Sequence, residues 1–139
     1  MAELIRFGVS IEARLLEAFD RVSTAQKYAN RSQAIADMMR GKLIERDWQR
    51  KNARVVAIIG LVYDHHRREL VNKVMDIQHD YQRLIISTQH IHLDHDNCLE
   101  IIAAKGFSRD IVALTHQLRG VKGIKHVSFT ATTGGERLT

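Results

Sequence analysis

The order of apolar patterns in the second part of the chain restricts its fold more than any other feature of the sequence. Short apolar or alternating runs bounded by turn residues predict strands at residues 54–63, 83–93, 98–105 and 124–131. Apolar residues at helical spacing predict helices at residues 67–81 and 108–118. The resulting order, βαββαβ, is that of the split-βαβ, ferredoxin-like fold.

The first part of the chain has a shorter pattern. Phe7, Val9 and Ile11 alternate with polar or small residues, which predicts a strand at residues 4–11 with one apolar face. Two amphipathic helices follow, and residues 30–32 offer an N-cap signal for the second. Because no second strand is predicted here, this strand is expected to pair with its equivalent in another chain, giving an obligate dimer. The alternative is that it joins the sheet of the second part.

Together these patterns predict an α+β protein with two domains. A βαα unit occupies residues 1–50 and the βαββαβ unit occupies residues 54–139. The polar stretch at residues 46–52 is the expected connector.

Composition narrows the function only a little. The chain has 45% hydrophobic and 27% charged residues, which is typical of a soluble globular protein, and its net charge of +5 is compatible with DNA binding. The longest apolar stretch, residues 55–63, is too short to cross a bilayer, and residues 1–6 lack the pattern of a signal peptide. Cys98 is the only cysteine, so no intrachain disulfide is expected and the cytoplasm is the predicted location.

Three potential metal ligands lie close together in the sequence. His90 and His92 are two residues apart on a predicted strand, so their imidazoles share one face. If residues 93–97 form the hairpin loop, Cys98 lies opposite His92 and joins that face. Nitrogen and sulfur donors of this kind suit a late divalent ion such as nickel, copper, zinc or cobalt.

The apolar residues of the hairpin predict which face carries these donors. Four of them are expected to face the helices as core: Ile91, Leu93, Leu99 and Ile101. The metal donors would then lie on the opposite, open face of the sheet, where a second subunit could provide the fourth ligand. Spacing alone leaves four histidines as candidates for that ligand: His65, His66, His79 and His95. A planar arrangement would favour nickel or copper, and a tetrahedral one zinc.

Two further functions are compatible with parts of this sequence. A zinc hydrolase could use His90, His92 and Cys98 as ligands and Glu100 as general base, although an open sheet face offers no obvious substrate pocket. An amino-acid-sensing regulator is the other alternative. Domains that sense small molecules in this way usually have a glycine in the loop after the first strand, and the loop at residues 64–67 has none. In the simplest structural interpretation, Cys98 is a small core residue and the histidines are exposed polar residues.

Four runs of sequence resemble those of nickel-responsive transcriptional regulators of the NikR type. They are TQHIHLDHDNCLEI at residues 88–101, IQH at 77–79, NRSQAI at 30–35 and VYDHHRREL at 62–70. The resemblance covers nearly the whole chain. It implies an N-terminal ribbon-helix-helix DNA-binding domain and a C-terminal ACT-like metal-binding domain.

The resemblance also implies a specific nickel site. His90, His92 and Cys98 match three family ligands, and His79 matches the fourth, which in the family comes from a neighbouring subunit of a homotetramer. The implied cofactor is Ni²⁺ in a square-planar His₃Cys site.

The family resemblance implies the DNA contacts as well. The N-terminal strand would lie in the major groove with Arg6, Gly8 and Ser10 towards the DNA, and Arg6 can donate two hydrogen bonds to guanine. Gly8 departs from the family pattern, because it has no side chain to read a base. Phosphate contacts are implied for three further arginines: Arg31, Arg67 and Arg68.

The sequence together with this resemblance therefore implies a cytoplasmic nickel-sensing repressor, not an enzyme, that binds a palindromic DNA operator as a dimer of dimers. Some family members hold a second cation through acidic residues of the second helix. Gln33 replaces one of these acids here while Asp37 keeps the other, so that site is not predicted.

Overall fold

The computed structural model describes residues 3–50 and 52–135. Its elements, in chain order, are α1 (Ala13–Ala25), α2 (Arg31–Gln49), β1 (Arg54–Asp64), α3 (Arg68–Asp80), β2 (Ile85–His92), β3 (Asn97–Phe107), α4 (Ser108–Arg119) and β4 (His126–Thr132). The chain separates into two compact units, one reaching Leu43 and the other spanning Ile44–Gly134. The domain limits 1–50 and 54–139 remain predictions.

Both helices predicted for the first part of the chain are formed, and α2 continues beyond the first unit to Gln49. Asn30 caps α2, because its side-chain oxygen accepts the backbone N–H of Gln33 at 2.8 Å. Gln33 in turn accepts the backbone N–H of Ala29 at 2.8 Å, which completes a reciprocal cap. Arg31 joins the two helices through two hydrogen bonds to Asp20, at 2.7 and 3.1 Å.

The strand predicted at residues 4–11 is not formed within the single chain. Residues 3–12 contain neither helix nor strand, and Phe7 and Val9 are 65% and 64% exposed. The alternative, in which this segment joins the other sheet, is not observed among the described residues, because that sheet consists of β1 to β4. A strand requires hydrogen bonds from a neighbouring strand, and none of the described strands pairs with this segment.

The second unit confirms the predicted βαββαβ order. Its four-stranded sheet has the order β2-β3-β1-β4, with antiparallel neighbours throughout. This is the strand arrangement of a ferredoxin-like α+β unit. Among the described residues, no helix has the length and apolar content needed to cross a bilayer.

The helices α3 and α4 cover one face of this sheet. The core there contains Ile59, Leu61, Tyr63, Leu70, Val74, Cys98, Ile102, Leu114 and Leu118. In β3, the residues directly opposite Tyr63 and Leu61 are Cys98 and Glu100, so these two side chains share the covered face.

The face predicted for Leu99 and Ile101 is therefore wrong. Both are only half-buried and project to the side of the sheet opposite the helices, together with Ile91, which pairs with Leu99. Leu93, also predicted as core, is 52% exposed beyond the end of β2. The physical reason is that β3 carries apolar residues at both alternating positions, so its period of two does not say which set faces the helices.

The end of α2 is anchored on β4. The indole N–H of Trp48 donates to the carbonyl of Thr132 at 2.9 Å, and the Trp48 ring meets Phe129 edge-on at 5.2 Å between ring centroids. A half-buried indole with a satisfied N–H gives a stable contact with a defined geometry.

Candidate metal centre

The β2–β3 hairpin has the predicted register. His92 lies opposite Cys98, and His90 lies opposite Glu100. The loop between the strands is fixed by Asp94, whose carboxylate accepts the backbone N–H groups of Asp96 and Asn97 at 2.9 and 2.8 Å. The side-chain amide of Asn97 also donates to this carboxylate. This side-chain bond has the largest effect on the pKa of Asp94, and together with the two backbone bonds it lowers that pKa to about 2.

The donors do not lie on the open face of the sheet, which corrects the sequence-based expectation. His90, His92 and Cys98 share the side that α3 and α4 cover. His90 and His92 are nevertheless exposed, because β2 is the edge strand, whereas Cys98 on β3 is completely buried. The metal donors therefore sit at the rim of the helix-covered layer.

Cys98 is a neutral thiol in this environment. Its Sγ donates a weak hydrogen bond of 3.5 Å to the carbonyl of Tyr63. Burial raises the pKa of the Cys98 thiol, and the negative charge of Glu100 adds to that effect. A bound divalent cation would reverse this preference, because the thiolate is the form that ligates a metal.

Glu100 is a buried carboxylate with both oxygens engaged. Its Oε2 accepts the hydroxyl of Tyr63 at 2.7 Å, and its Oε1 accepts the side-chain amide of Gln78 at 2.8 Å. Burial and the hydrogen bond to Glu100 raise the pKa of Tyr63. This arrangement disfavours Glu100 as the general base of a hydrolase, since neither oxygen is directed towards a substrate.

Sequence reasoning missed Tyr63 and Gln78 as supports of this layer. Gln78 reaches Glu100 from α3, and Tyr63 reaches it from β1, next to Cys98 in the ladder. Both residues fall inside the runs that carried the family resemblance, IQH and VYDHHRREL, and that was the available signal.

The single chain does not bring all four predicted ligands together. The rings of His90 and His92 are 5.2 Å apart between centroids, and His79 is exposed near the end of α3. Among the described residues, the one group of three His, Cys, Asp or Glu side chains with ligand atoms all within 4.8 Å is His66, His95 and Asp96. The donor set suits a late transition ion in its chemistry, but its assembly needs side-chain movement and a further imidazole.

The other candidate histidines surround the hairpin loop. The His65 ring meets that of His92 edge-on at 5.0 Å between centroids, and lies 4.1 Å from that of His66. The Nε2 atoms of His65 and His66 each lie 2.9 Å from the carbonyl oxygen of His95, to which they can donate.

The predicted DNA-contacting residues are distributed over both units. Arg6, Gly8 and Ser10 are exposed in the segment without regular structure, and Arg31 is engaged by Asp20. Asp37, considered for a second cation, accepts a hydrogen bond from the Tyr28 hydroxyl.

Arg67 and Arg68 lie at the start of α3 and line a cavity of about 420 Å³. Its basic lining also includes Lys73 and Lys122. Gly123 has a positive φ of 99°, which favours glycine at this position, and Arg67 Nη1 packs against the space that a Cβ would occupy. Glu69 and Leu70 complete the lining, so four basic side chains face one acidic side chain and the cavity has a net positive charge.

Known proteins resemble this chain along its whole length. Residues 56–132 match the family described as the NikR C-terminal nickel-binding domain. A protein of Chlorobium limicola is 49% identical over 97% of this chain and 100% of its own length. Proteins of Syntrophus aciditrophicus and of Geobacter strain M21 are 46% and 44% identical, over 98% and 99% of both chains. All three are assigned by name as nickel-responsive regulators.

A solved structure has a similar fold. It is that of an uncharacterized protein from Thermotoga maritima, with a TM-score of 0.52 and 16% sequence identity over 56% of this chain and 96% of that chain. At that identity the likeness concerns the fold alone.

Proposed function

Since the chain belongs to the family of nickel-responsive regulators with the NikR C-terminal nickel-binding domain, we propose that it represses transcription by binding a palindromic operator when nickel joins its subunits. Its metal is Ni²⁺, and it is a regulator rather than an enzyme. The observation that supports the site is the hairpin register, which sets Cys98 opposite His92 at the rim of the covered layer.

The proposed ligands are His90, His92 and Cys98 of one subunit and His79 of the partner subunit. Three nitrogens and one thiolate in a plane are a donor set that suits Ni²⁺. His90 and His92 are accessible from solvent, and the buried Cys98 loses its proton when it ligates. Glu100, held by Tyr63 and Gln78, maintains the layer beneath these residues.

Two apolar surfaces support a dimer of dimers. On the open face of the sheet, Ile58 is 46% exposed. Leu99 and Ile101, which are half-buried, lie on the same face. In the first unit, residues 3–12 expose the alternating apolar side chains of the predicted strand. We propose that a second copy covers each surface, so that the strand forms a two-stranded ribbon and the sheets form the tetrameric core.

The proposed DNA surface combines a reading strand with phosphate contacts. The ribbon would place Arg6 and Ser10 in the major groove, with Gly8 leaving one position unread. The basic cavity lined by Arg67 and Arg68 would bind backbone phosphates. Arg31 would contact phosphate only by exchanging its bonds to Asp20.

Nickel and DNA binding must then be coupled reciprocally. If nickel tightens operator binding by a given factor, the operator tightens nickel binding by the same factor. A subunit-bridging site provides the physical link, because bound nickel favours one arrangement of the subunits and so of the DNA-binding ribbons.

The deciding experiment measures operator affinity with and without nickel. Duplexes with a randomised central region are selected by the nickel-loaded protein, and the recovered duplex is titrated in EDTA and with one equivalent of Ni²⁺ per chain. We expect nickel to increase affinity at least tenfold in the wild type and in His116→Ala, an exposed histidine of α4, but not in Cys98→Ala. Equal affinities with and without nickel would refute the proposal, and a response to amino acids instead would favour the alternative regulator.

A further inference from the structure

We infer that the chain holds a second, weaker site for a divalent transition-metal ion, formed by His66, His95 and Asp96. Ligand atoms of these three residues all lie within 4.8 Å of one another on the exposed end of the second unit. None of the three belongs to the proposed His₃Cys site, so this inference does not depend on the proposed function.

The backbone that carries these side chains is already ordered. His66 follows β1, and its backbone N–H donates to Asp64 Oδ1 at 2.9 Å. Asp96 belongs to the hairpin loop, and its backbone N–H donates to Asp94 Oδ1 at 2.9 Å. The two loops are tied together because the backbone N–H of His65 donates to the carbonyl of Asp96 at 3.1 Å. Binding an ion here therefore requires little ordering of the main chain, which favours affinity.

The side-chain distances are compatible with one shared ion. Nε2 of His66 lies 3.7 Å from Oδ1 of Asp96, and binding an ion through this nitrogen would replace its hydrogen bond to the His95 carbonyl. Two ligand atoms that are each about 2.1 Å from an ion can be separated by at most about 4.2 Å. The His95 ring is 5.2 Å from the His66 ring between centroids, so a small side-chain rotation brings its nitrogen into the same sphere.

The chemistry of the donors selects the kind of ion. Two imidazole nitrogens and one carboxylate oxygen suit Ni²⁺, Co²⁺, Zn²⁺ or Cu²⁺, whereas Mg²⁺ and Ca²⁺ prefer oxygen ligands throughout. All three side chains are exposed, and water would fill the remaining positions. We therefore expect weaker binding than at a site with four protein ligands that include a thiolate.

The two sites are neighbours with separate ligands. The ring of His65 lies between them, 5.0 Å from that of His92 and 4.1 Å from that of His66 by centroids. His66→Ala should thus remove the second site and leave His92 and Cys98 unchanged.

The test is a titration of the metal-free full chain with Ni²⁺. Calorimetry measures the binding events, and the thiolate-to-nickel absorption band reports whether Cys98 ligates the ion. For the wild type we expect two binding events per chain, the second at least tenfold weaker. In His66→Ala and in Asp96→Asn the weaker event should disappear while the absorption band remains. In Cys98→Ala the band and the tight event should disappear while the weaker event remains, and His116→Ala should keep both.

Three results would overturn the second site. One is a single binding event in the wild type. Another is a weaker event that His66→Ala leaves unchanged. The third is loss of the thiolate band in His66→Ala, because His66 would then belong to the thiolate site. The regulatory proposal is tested by a different measurement: it fails if the affinity for the operator does not change when nickel is added.

Discussion

The hydroxyl of Tyr63 donates a hydrogen bond of 2.7 Å to Oε2 of Glu100 in the buried layer between the sheet and its helices. Cys98 lies directly opposite Tyr63 in the sheet, and Glu100 is two residues further along β3 on the same face. The hydrogen bond therefore holds the buried carboxylate of Glu100 next to the thiol. The layer therefore combines a hydrogen-bonded charge, an aromatic ring and a metal donor, and its stability and its titration can be measured.

We expect Tyr63→Phe to lower the free energy of unfolding by about 1–3 kcal/mol, because it leaves one oxygen of the buried Glu100 without its donor. Urea unfolding of the metal-free protein measures the effect. Tyr81→Phe is the matched control, since its hydroxyl accepts an exposed hydrogen bond from Gln117, and we expect a change within about 0.5 kcal/mol there. Equal changes in the two variants would contradict the assigned role of Tyr63.

The thiol of Cys98 predicts how the stability of the metal-free protein depends on pH. Burial raises its pKa above the ordinary value of 9.0, so the unfolded chain ionises at lower pH than the folded one. The stabilisation by the neutral thiol is complete below pH 9.0 and is lost as the pH rises through the folded pKa. The free energy of unfolding in EDTA should thus fall as the pH is raised from 9.0 to about 10.

Cys98→Ala is the comparison that isolates this effect. Tyr63 also has a raised pKa, and its contribution, which has the same sign, is present in both proteins. We expect a smaller decline in the variant than in the wild type over that interval. Parallel declines would mean that the folded thiol titrates like an unfolded one.

Parts of this layer could be predicted from the sequence, and parts could not. The pairing of His92 with Cys98 was predictable because the loop length and the alternation of side chains both demand it. The face was not, because Leu99 and Ile101 are as apolar as Ile102, and a buried Glu100 contradicts any ranking by polarity. Its burial depends on Tyr63 and Gln78, which come from other elements.

Two other features depend on partners that local patterns do not specify. The segment at residues 4–11 has strand periodicity, but no described residue pairs with it, and a periodic pattern does not identify the partner that a strand needs. His66 and Asp96 are far apart in the sequence and meet because the β1–α3 loop and the hairpin loop lie at the same end of the sheet. Such a contact follows from the tertiary fold rather than from spacing.

The open sheet face predicts a change in assembly. Ile58→Glu places a charge at the exposed centre of that face. The proposed assembly predicts tetramers for the wild type, and we expect sedimentation velocity to show dimers for the variant, because a buried unpaired charge is costly. Val112→Glu is the control, since Val112 is 36% exposed on α4, a helix with no proposed nickel ligand, and it should leave the proposed tetramer intact. Tetramers of Ile58→Glu at the same concentration would exclude this face as the subunit contact.

The basic cavity predicts a change in DNA binding without a change in sequence preference. Arg68→Ala removes one cation from its lining, and we expect weaker binding to every duplex, because a phosphate contact carries no base information. The slope of log affinity against log salt should become shallower by about 0.9 for each phosphate that the variant no longer neutralises. The exposed Arg83, in the turn before β2, provides the control variant Arg83→Ala, which should keep the wild-type slope. Nickel affinity measured without DNA should be the same in all three proteins, and a slope unchanged by Arg68→Ala would place the DNA elsewhere on the molecule.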